Sequence, residues 1–267
     1  MASSASSVTR AADSDQSLRR TAPLPRPGPM IQQTISTGHT FQLPAQLSAS
    51  IVGAVFPADR ADVAALLPAG LEPIRATRSR AALTVLAVSY DRVGDDTIEP
   101  YDEVGVILPA VETGTRTWPY LSALRRGVSG YVYTLPVSTD PARAFGEDIW
   151  GYPKLVADID LRDNGRTRYA TVTADGQHIL SFEGKRPPTI PARLSGYNYT
   201  VKDDSLLREE TRLSGRAGIW PRRHASLWFG EHCIAERFAD VVIRERPLYT
   251  VAANCDFEIS PGSVIYP

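Results

Sequence analysis

Cysteine, histidine and lysine are scarce in this chain. Its 267 residues include two cysteines and four histidines, too few to build a disulfide framework or a cysteine-based zinc site. The histidines also lack the spacing of metal ligands, so we expect no metal site. The formal net charge of −1 gives no reason to expect a nucleic acid or an anionic membrane as a partner.

Several common motifs are also missing. No apolar run approaches the roughly 18 to 20 residues that span a bilayer, and the few cysteines fit a reducing compartment, so we expect a cytoplasmic protein. There is no glycine-rich phosphate loop, no G-x-S-x-G elbow and no H-E-x-x-H helix. These absences argue against the nucleotide-binding, serine hydrolase and zinc peptidase classes that carry those motifs.

Residues 1–30 differ in composition from the rest of the chain. This segment is rich in Ser, Ala, Arg and Pro and has few large aliphatic residues. It cannot bury enough apolar surface to offset its ordering entropy, so we predict a flexible tail. An organelle transit peptide is the alternative, and Asp13 and Asp15 argue against it. Residues 31–267 are predicted to form a single domain.

Strand-like runs dominate the predicted domain. They follow one another at short spacing, with few helical segments and no βαβ rhythm, which predicts a mostly β (α+β) fold built on an antiparallel sheet or barrel. One helix is predicted at 140–150, with Asp140 as its cap and Pro141 at its first helical position. Short helices are also predicted near 60–67 and 120–126, and strand runs cover 47–56, 81–93, 103–111, 129–139, 154–163, 166–184 (a hairpin), 224–230, 239–259 and 263–267.

The segment EDIWGYPKLV (147–156) contains one of three lysines in a chain with 26 arginines. Lys154 follows a rigid Tyr-Pro step and precedes Leu155 and Val156, a setting that favours burial of its amine. Arginine keeps its proton in a protein, whereas a lysine can lose it and act as a nucleophile, and burial promotes this because it disfavours the charged form. A surface lysine whose stem covers apolar neighbours is the alternative.

The longer segment GEDIWGYPKLVADID (146–160) resembles the active-site segment of the acetoacetate decarboxylase family. Four further segments resemble that family in the same order: FPADRADVAALLPAGLEP (56–73), YDEVGVILP (101–109), LSGYNYTVKD (194–203) and EISPGSVIYP (258–267). The resemblance implies a cone-like antiparallel β-barrel with a few short helices. It also implies a homo-oligomeric enzyme that works without a cofactor.

The family resemblance further implies imine chemistry. Lys154 falls on the family's Schiff-base lysine, whose amine condenses with a substrate ketone, and Glu103 falls on an active-site glutamate that orients water or carries a proton. The imine withdraws electrons from the adjacent carbon–carbon bond, so that decarboxylation, aldol, dehydration or cyclisation steps become accessible. Tyr152, Trp150 and Leu155 are the predicted substrate-binding residues.

Three departures from the family pattern argue against acetoacetate as the substrate. Leu155 stands where the family's decarboxylases have a second lysine. The position of the family's substrate-binding arginine falls near Ala49, and that of its second glutamate falls near Val85. Such an apolar site suits a larger, less charged keto or polyketide-like substrate. We therefore predict a lysine Schiff-base lyase, with specialised metabolism as its setting. A non-covalent cyclase in the same cavity and a non-catalytic ligand-binding barrel are the alternatives.

Overall fold

The computed structural model describes residues 31–77, 79–115, 129–221, 224–238, 241 and 246–266. Strands dominate this part of the chain, and three short helices interrupt them. None of the helices in these ranges is both long and apolar enough to cross a membrane. The predicted tail at 1–30 and the predicted helix at 120–126 lie outside the described residues.

The elements are numbered in chain order. They are β1 (Ile31–Thr34), β2 (Thr40–Leu43), β3 (Ala45–Asp59), α1 (Arg60–Ala65), β4 (Leu71–Pro73), β5 (Arg80–Val93), β6 (Tyr101–Glu112), β7 (Gly130–Val137), α2 (Asp140–Trp150), β8 (Lys154–Val156), β9 (Asp158–Asn164), β10 (Thr167–Ala174), β11 (Gln177–Lys185), β12 (Ile190–Lys202), β13 (Ser205–Pro221), β14 (Ala225–Phe229), α3 (Cys233–Glu236), β15 (Tyr249–Ile259) and β16 (Ser263–Tyr266).

Seven strands close into a barrel in the order β6–β5–β3–β15–β13–β12–β7, and β7 pairs back onto β6. Neighbouring strands are antiparallel except β12 and β7, which meet in parallel. Closure pairs both edges of the sheet, which removes the unpaired backbone groups that an open edge would present. Short strands extend the barrel wall: β4 on β6, β8 on β7 and β16 on β13. The structure confirms the predicted mostly β fold and its barrel.

Two apolar cores lie on opposite sides of the barrel wall, because successive side chains of a strand point to opposite faces. The interior core contains Leu47, Val88 and Phe257 from the wall and Phe145 from α2. The outer core lies between the other face of the wall and a second sheet of four strands, β14–β11–β10–β9. Along each strand of the wall, alternate residues therefore belong to the interior core and to the outer core.

Helix α2 packs its apolar face onto the interior core. Ala142, Phe145 and Ile149 are buried and recur at helical spacing. The predicted cap at Asp140 is wrong: Thr139 is the N-cap, and its Oγ1 accepts the Ala142 N–H at 3.4 Å. Asp140 is instead the first helical residue, and its carboxylate accepts a hydrogen bond from Arg143 Nε at 2.9 Å.

The strand predictions differ from the structure in several places, and they also omit the short strands β1, β2 and β4. The run 154–163 is two strands, because the chain crosses at Ala157 from the barrel wall (β8) into the second sheet (β9), and the Ala157 N–H donates to Val137 O at 2.9 Å. In the run 239–259, a strand covers Tyr249–Ile259 and residues 246–248 are not part of it, while 239–240 and 242–245 lie outside the described residues. Strand β13, with 17 residues the longest in the described chain, was not predicted.

Candidate active site

The turn between α2 and β8 delivers Lys154 to the barrel interior. Helix α2 ends at Gly151, which has a left-handed backbone (φ 69°), and the Tyr152 N–H reaches back to Gly146 O at 3.2 Å. Pro153 then accepts the Leu135 N–H at 3.0 Å, which docks β8 in parallel on β7. The sequence Gly-Tyr-Pro therefore reverses the chain, so that the next side chain points into the barrel.

The Lys154 amine donates a hydrogen bond to the Glu103 carboxylate, with 2.7 Å between Nζ and Oε2. Both side chains are buried, with 4% and 7% of their surface exposed. Tyr90 donates to the second carboxylate oxygen at 3.2 Å. A carboxylate in this position can accept a proton from the ammonium group and so release the lone pair of the amine. The structure brings together the two residues predicted as catalytic.

Helix α2 approaches the lysine side chain so closely that a Cβ at position 146 would fit only if that side chain moved. A Cβ added at Gly146 would lie 2.3 Å from Cε of Lys154, 2.7 Å from Cδ and 3.2 Å from Nζ. These distances are far below ordinary van der Waals contact, so the missing side chain of Gly146 defines the path that the lysine takes across the helix.

Two tyrosines complete the surroundings of the ion pair. The rings of Tyr90 and Tyr101 stack with centroids 4.5 Å apart, and Lys154 Nζ lies 5.3 Å from the centre of the Tyr101 ring. Burial, together with the nearby charge of Glu103, raises the pKa of both phenols well above the ordinary value. Both phenols therefore stay neutral across the physiological range. Neither residue was predicted as part of the site.

A second polar group lies beside Tyr152. Asn198 of β12 donates from Nδ2 to the Tyr152 phenol oxygen at 3.1 Å and to Thr211 Oγ1 of β13 at 3.2 Å. Glu209 of β13 is directly opposite Asn198 in the ladder and fully buried. Burial, and then the neighbouring Glu209, raises the pKa of the Tyr152 phenol well above its ordinary value. Glu103 contributes to the same shift, so Tyr152 lies within electrostatic range of both carboxyl groups.

The other two predicted substrate-binding residues are placed differently. Trp150 is fully buried, packs against Phe145 and Tyr152 at centroid distances of 5.2 and 5.4 Å, and donates from Nε1 to Ser260 O at 2.9 Å. Trp150 therefore holds the Tyr152 ring in place by stacking against it. Leu155 packs against the outer core, on the opposite face of β8 from Lys154, so the structure does not bring it to the lysine.

The placement of position 155 changes the interpretation of one departure from the family pattern. A lysine at 155 would extend away from the Lys154 amine, so its absence does not remove a cation from beside that amine. Val85 likewise belongs to the outer core, while Ala49 faces the interior. The interior residues of β5 closest to Glu103 are Val88 and Tyr90, which add no carboxylate.

Arginine is not available to receive a substrate carboxylate in the described interior. Arg168 is the one arginine among the fully buried residues that the structure describes. Its guanidinium is already bonded to the Asp163 carboxylate at 2.9 Å and to the backbone oxygens of Ser50 and Ala87 at 2.8 and 3.1 Å. Among the residues that the structure describes, the polar groups shown around the Lys154 amine are the Glu103 carboxylate and the phenols of Tyr90 and Tyr101.

Solved structures with this fold are only distantly similar in sequence. An acetoacetate decarboxylase from Legionella pneumophila subsp. pneumophila str. Philadelphia 1 is 15% identical, with a TM-score of 0.59 over 90% of this chain and 92% of that one. An acetoacetate decarboxylase-like enzyme from Sphingomonas wittichii RW1 is 14% identical, with a TM-score of 0.56 over 83% and 92%. The enduracididine biosynthesis enzyme MppR, in complex with the condensation product of pyruvate and imidazole 4-carboxaldehyde, is 12% identical, with a TM-score of 0.60 over 83% and 89%.

Sequence comparison gives the family. A search of the curated proteins returns no match. The family model for acetoacetate decarboxylase (ADC) matches residues 26–266, which includes the whole barrel and the lysine–glutamate pair. The chain therefore belongs to the acetoacetate decarboxylase family.

Proposed function

We propose that this protein is a cofactor-independent lyase-type enzyme in which Lys154 forms a Schiff base with a keto substrate. The observation that carries the proposal is the buried Lys154 amine, 2.7 Å from a carboxylate that can accept its proton. Removing one partner of such a buried pair would cost about 3 to 5 kcal/mol, because the other charge would be left alone in the interior.

The proposed reaction begins with a proton transfer. Glu103 takes one proton from the Lys154 ammonium, and the freed lone pair attacks the carbonyl carbon of the substrate. The carbonyl oxygen takes one proton from the attacking nitrogen and one from Glu103 and leaves as water, which gives the cationic imine. The electron pair of the adjacent carbon–carbon or carbon–hydrogen bond then moves into the imine to form an enamine. Decarboxylation, aldol chemistry and dehydration all proceed through this enamine.

The charges of the site favour an uncharged keto substrate. Among the described residues, Glu103 is the charged group shown beside Lys154, and no unpaired arginine is described there. A substrate carboxylate would lie near the charge of Glu103 without a cation of its own, and repulsion between like charges in a buried site is strong. We therefore propose a larger keto or polyketide-like compound over acetoacetate, in keeping with a role in specialised metabolism.

Trapping with borohydride tests the imine directly. The purified protein is incubated with acetoacetate, 2,4-pentanedione, or pyruvate with imidazole 4-carboxaldehyde, the pair suggested by the similarity to MppR. We expect a reduced adduct by intact mass, located by peptide mapping to Lys154. Because the chain has three lysines, the assignment is simple.

Three variants make the trapping experiment decisive. Lys154→Ala and Lys154→Arg are expected to lose the adduct, while Lys185→Arg, in the second sheet, is expected to keep it. The imine mechanism fails if the wild-type protein gives no adduct with any carbonyl compound, or if the adduct persists in Lys154→Ala.

A non-covalent cyclase is the second candidate, and the same ion pair favours it. A buried ammonium held by Glu103 and 5.3 Å from the Tyr101 ring could stabilise developing charge without forming a bond to the substrate. Lys154→Arg separates the two candidates. Turnover that survives this substitution would support the cyclase, since arginine keeps a positive charge but cannot form the imine.

A further inference from the structure

Glu209 is a buried carboxyl group whose hydrogen-bonding capacity is not used. It has no exposed surface, and neither carboxyl oxygen has a hydrogen-bond partner of good geometry in the described structure. Its position on β13 has the same parity as Leu213, which packs on the interior core. An unsatisfied buried polar group costs about 1 to 3 kcal/mol, so a ligand that bonded to this carboxyl would recover that free energy.

The neighbours of Glu209 leave it free for such a ligand. The Asn198 amide, directly opposite, is already bonded to Tyr152 and Thr211. A Cβ added at Gly262, in the segment before β16, would come no closer than 3.7 Å to Oε1. Tyr152 is the one titratable group among these neighbours, and its phenol interacts with the carboxyl without completing a hydrogen bond of good geometry.

The carboxyl of Glu209 keeps its proton at neutral pH. Burial raises its pKa from 4.5 to about 8, against smaller opposing effects from its own backbone and from Tyr152. A protonated carboxyl is a hydrogen-bond donor, unlike the paired carboxylate of Glu103. Tyr152 is in electrostatic range of both Glu209 and Glu103.

We propose that Glu209 is a substrate-binding residue whose protonated carboxyl donates a hydrogen bond to an acceptor oxygen of an uncharged keto substrate. This oxygen lies beyond the carbonyl that Lys154 takes, on the side of Tyr152. The inference rests on the proposed function and extends it, because it specifies a second oxygen function in the substrate. A ketone, ether or hydroxyl oxygen fits this position, while a carboxylate oxygen would bring a negative charge into an interior where no free cation is described.

Two ketones that differ in one atom test this contact. 4-Methoxy-2-butanone and 2-hexanone have the same chain length, but only the first has an ether oxygen, which accepts hydrogen bonds and cannot donate them. The half-saturation concentration for reductive trapping at Lys154 is measured for each, and the ratio of the two concentrations reports the preference for the oxygen. Measurements are made at pH of about 6.5 and about 9.5, on either side of the Glu209 pKa of about 8.

Two variants serve as references. Glu209→Leu removes the donor, and its ratio gives the intrinsic difference between the ketones. Glu209→Gln keeps a donor that does not titrate. We expect the wild-type protein to favour the methoxy ketone about two- to tenfold over the Leu variant at the lower pH and to lose this preference at the higher pH. The Gln variant is expected to keep the preference at both.

Two results would overturn the role of Glu209: a wild-type ratio equal to that of Glu209→Leu at the lower pH, or a wild-type ratio that does not change with pH. The second criterion needs no variant and so holds even if Glu209→Leu does not fold. If no adduct forms with these ketones or with any carbonyl compound of the trapping experiment, the Schiff-base function fails by itself. The same ratio is then taken from dissociation constants measured by ligand-observed NMR, which judges the Glu209 contact independently of the imine.

Discussion

Replacement of Gly146 by alanine is expected to displace the Lys154 side chain. Alanine is a better helix former than glycine, so in the interior of α2 the substitution would ordinarily stabilise the protein by about 0.5 to 1 kcal/mol. Here the added Cβ would lie 2.3 Å from Cε of the lysine. We therefore expect the stabilising effect of the substitution to be reversed.

The size of the displacement follows from the contact distance. Ordinary van der Waals contact with a Cβ begins near 3.4 Å, so Cε must move by about 1 Å, or the helix must shift by a similar amount. Overpacking of this kind costs about 1 to 3 kcal/mol. The movement also takes Nζ out of its 2.7 Å contact with Glu103. A misplacement of about 1 Å at a reacting group can lower a rate by roughly 100-fold.

A double-mutant cycle separates the clash from other effects. The free energy of unfolding is measured in urea for the wild-type protein, Gly146→Ala, Lys154→Ala and the double variant. In the Lys154→Ala background the atoms that clash are gone, so Gly146→Ala should be neutral or stabilising there. We expect a coupling free energy of about 1 to 3 kcal/mol between the two positions. The rate of borohydride trapping is measured on the two proteins that keep the lysine.

Additive behaviour would refute this reasoning. If the two substitutions add to within about 0.5 kcal/mol, or if Gly146→Ala forms the adduct at the wild-type rate, the helix does not confine the lysine in the way the close approach implies.

Two further predictions concern the carboxyl groups. Glu103→Gln should lower the free energy of unfolding by about 3 to 5 kcal/mol and slow trapping by roughly 100-fold or more. The control is Glu112→Gln, on the same strand as Glu103, which breaks a half-exposed pair with Arg208 and should cost less than about 1 kcal/mol. Equal effects of the two substitutions in urea unfolding would contradict the proposed role of Glu103. For Glu209, a folded-state pKa of about 8 against 4.5 means a stabilising contribution that is complete below pH 4.5 and is lost as the pH rises towards 8. Relative to Glu209→Gln, the wild-type protein should lose on the order of 5 kcal/mol across that range, and parallel stability curves would contradict it.

Local signals in the sequence were enough to predict the helix and turn that carry the lysine. Proline near the start of α2 and the Gly-Tyr-Pro run after it act within a few residues of the chain. The family resemblance then gave Lys154 and Glu103, which are 51 positions apart and in direct contact. The helix and the turn before Lys154 could therefore be predicted from neighbouring residues, and the pairing of Lys154 with Glu103 from the family resemblance.

The other residues that distant strands bring to the site could not be predicted from the sequence. Tyr90 and Tyr101 are ordinary strand residues in the sequence, and no pattern indicates that their rings stack beside the lysine. Position 155 was interpreted from its place in the motif, but the direction of its side chain follows from the pleat of β8 and from the sheet that covers the outer face.

Glu209 shows most clearly what the tertiary structure decides. In the sequence it stands in the run LLREETRL, whose charges are typical of a solvated segment, and β13 itself was not predicted. The residue types determined that the chain forms strands, one well-capped helix and a turn that presents Lys154. Only closure of the barrel, with β13 paired between β12 and β15, places Glu209 inside and Glu210 on the other face. Burial then raises the pKa of Glu209, because the side chain has lost its water and gained no hydrogen-bond partner of good geometry in the described structure.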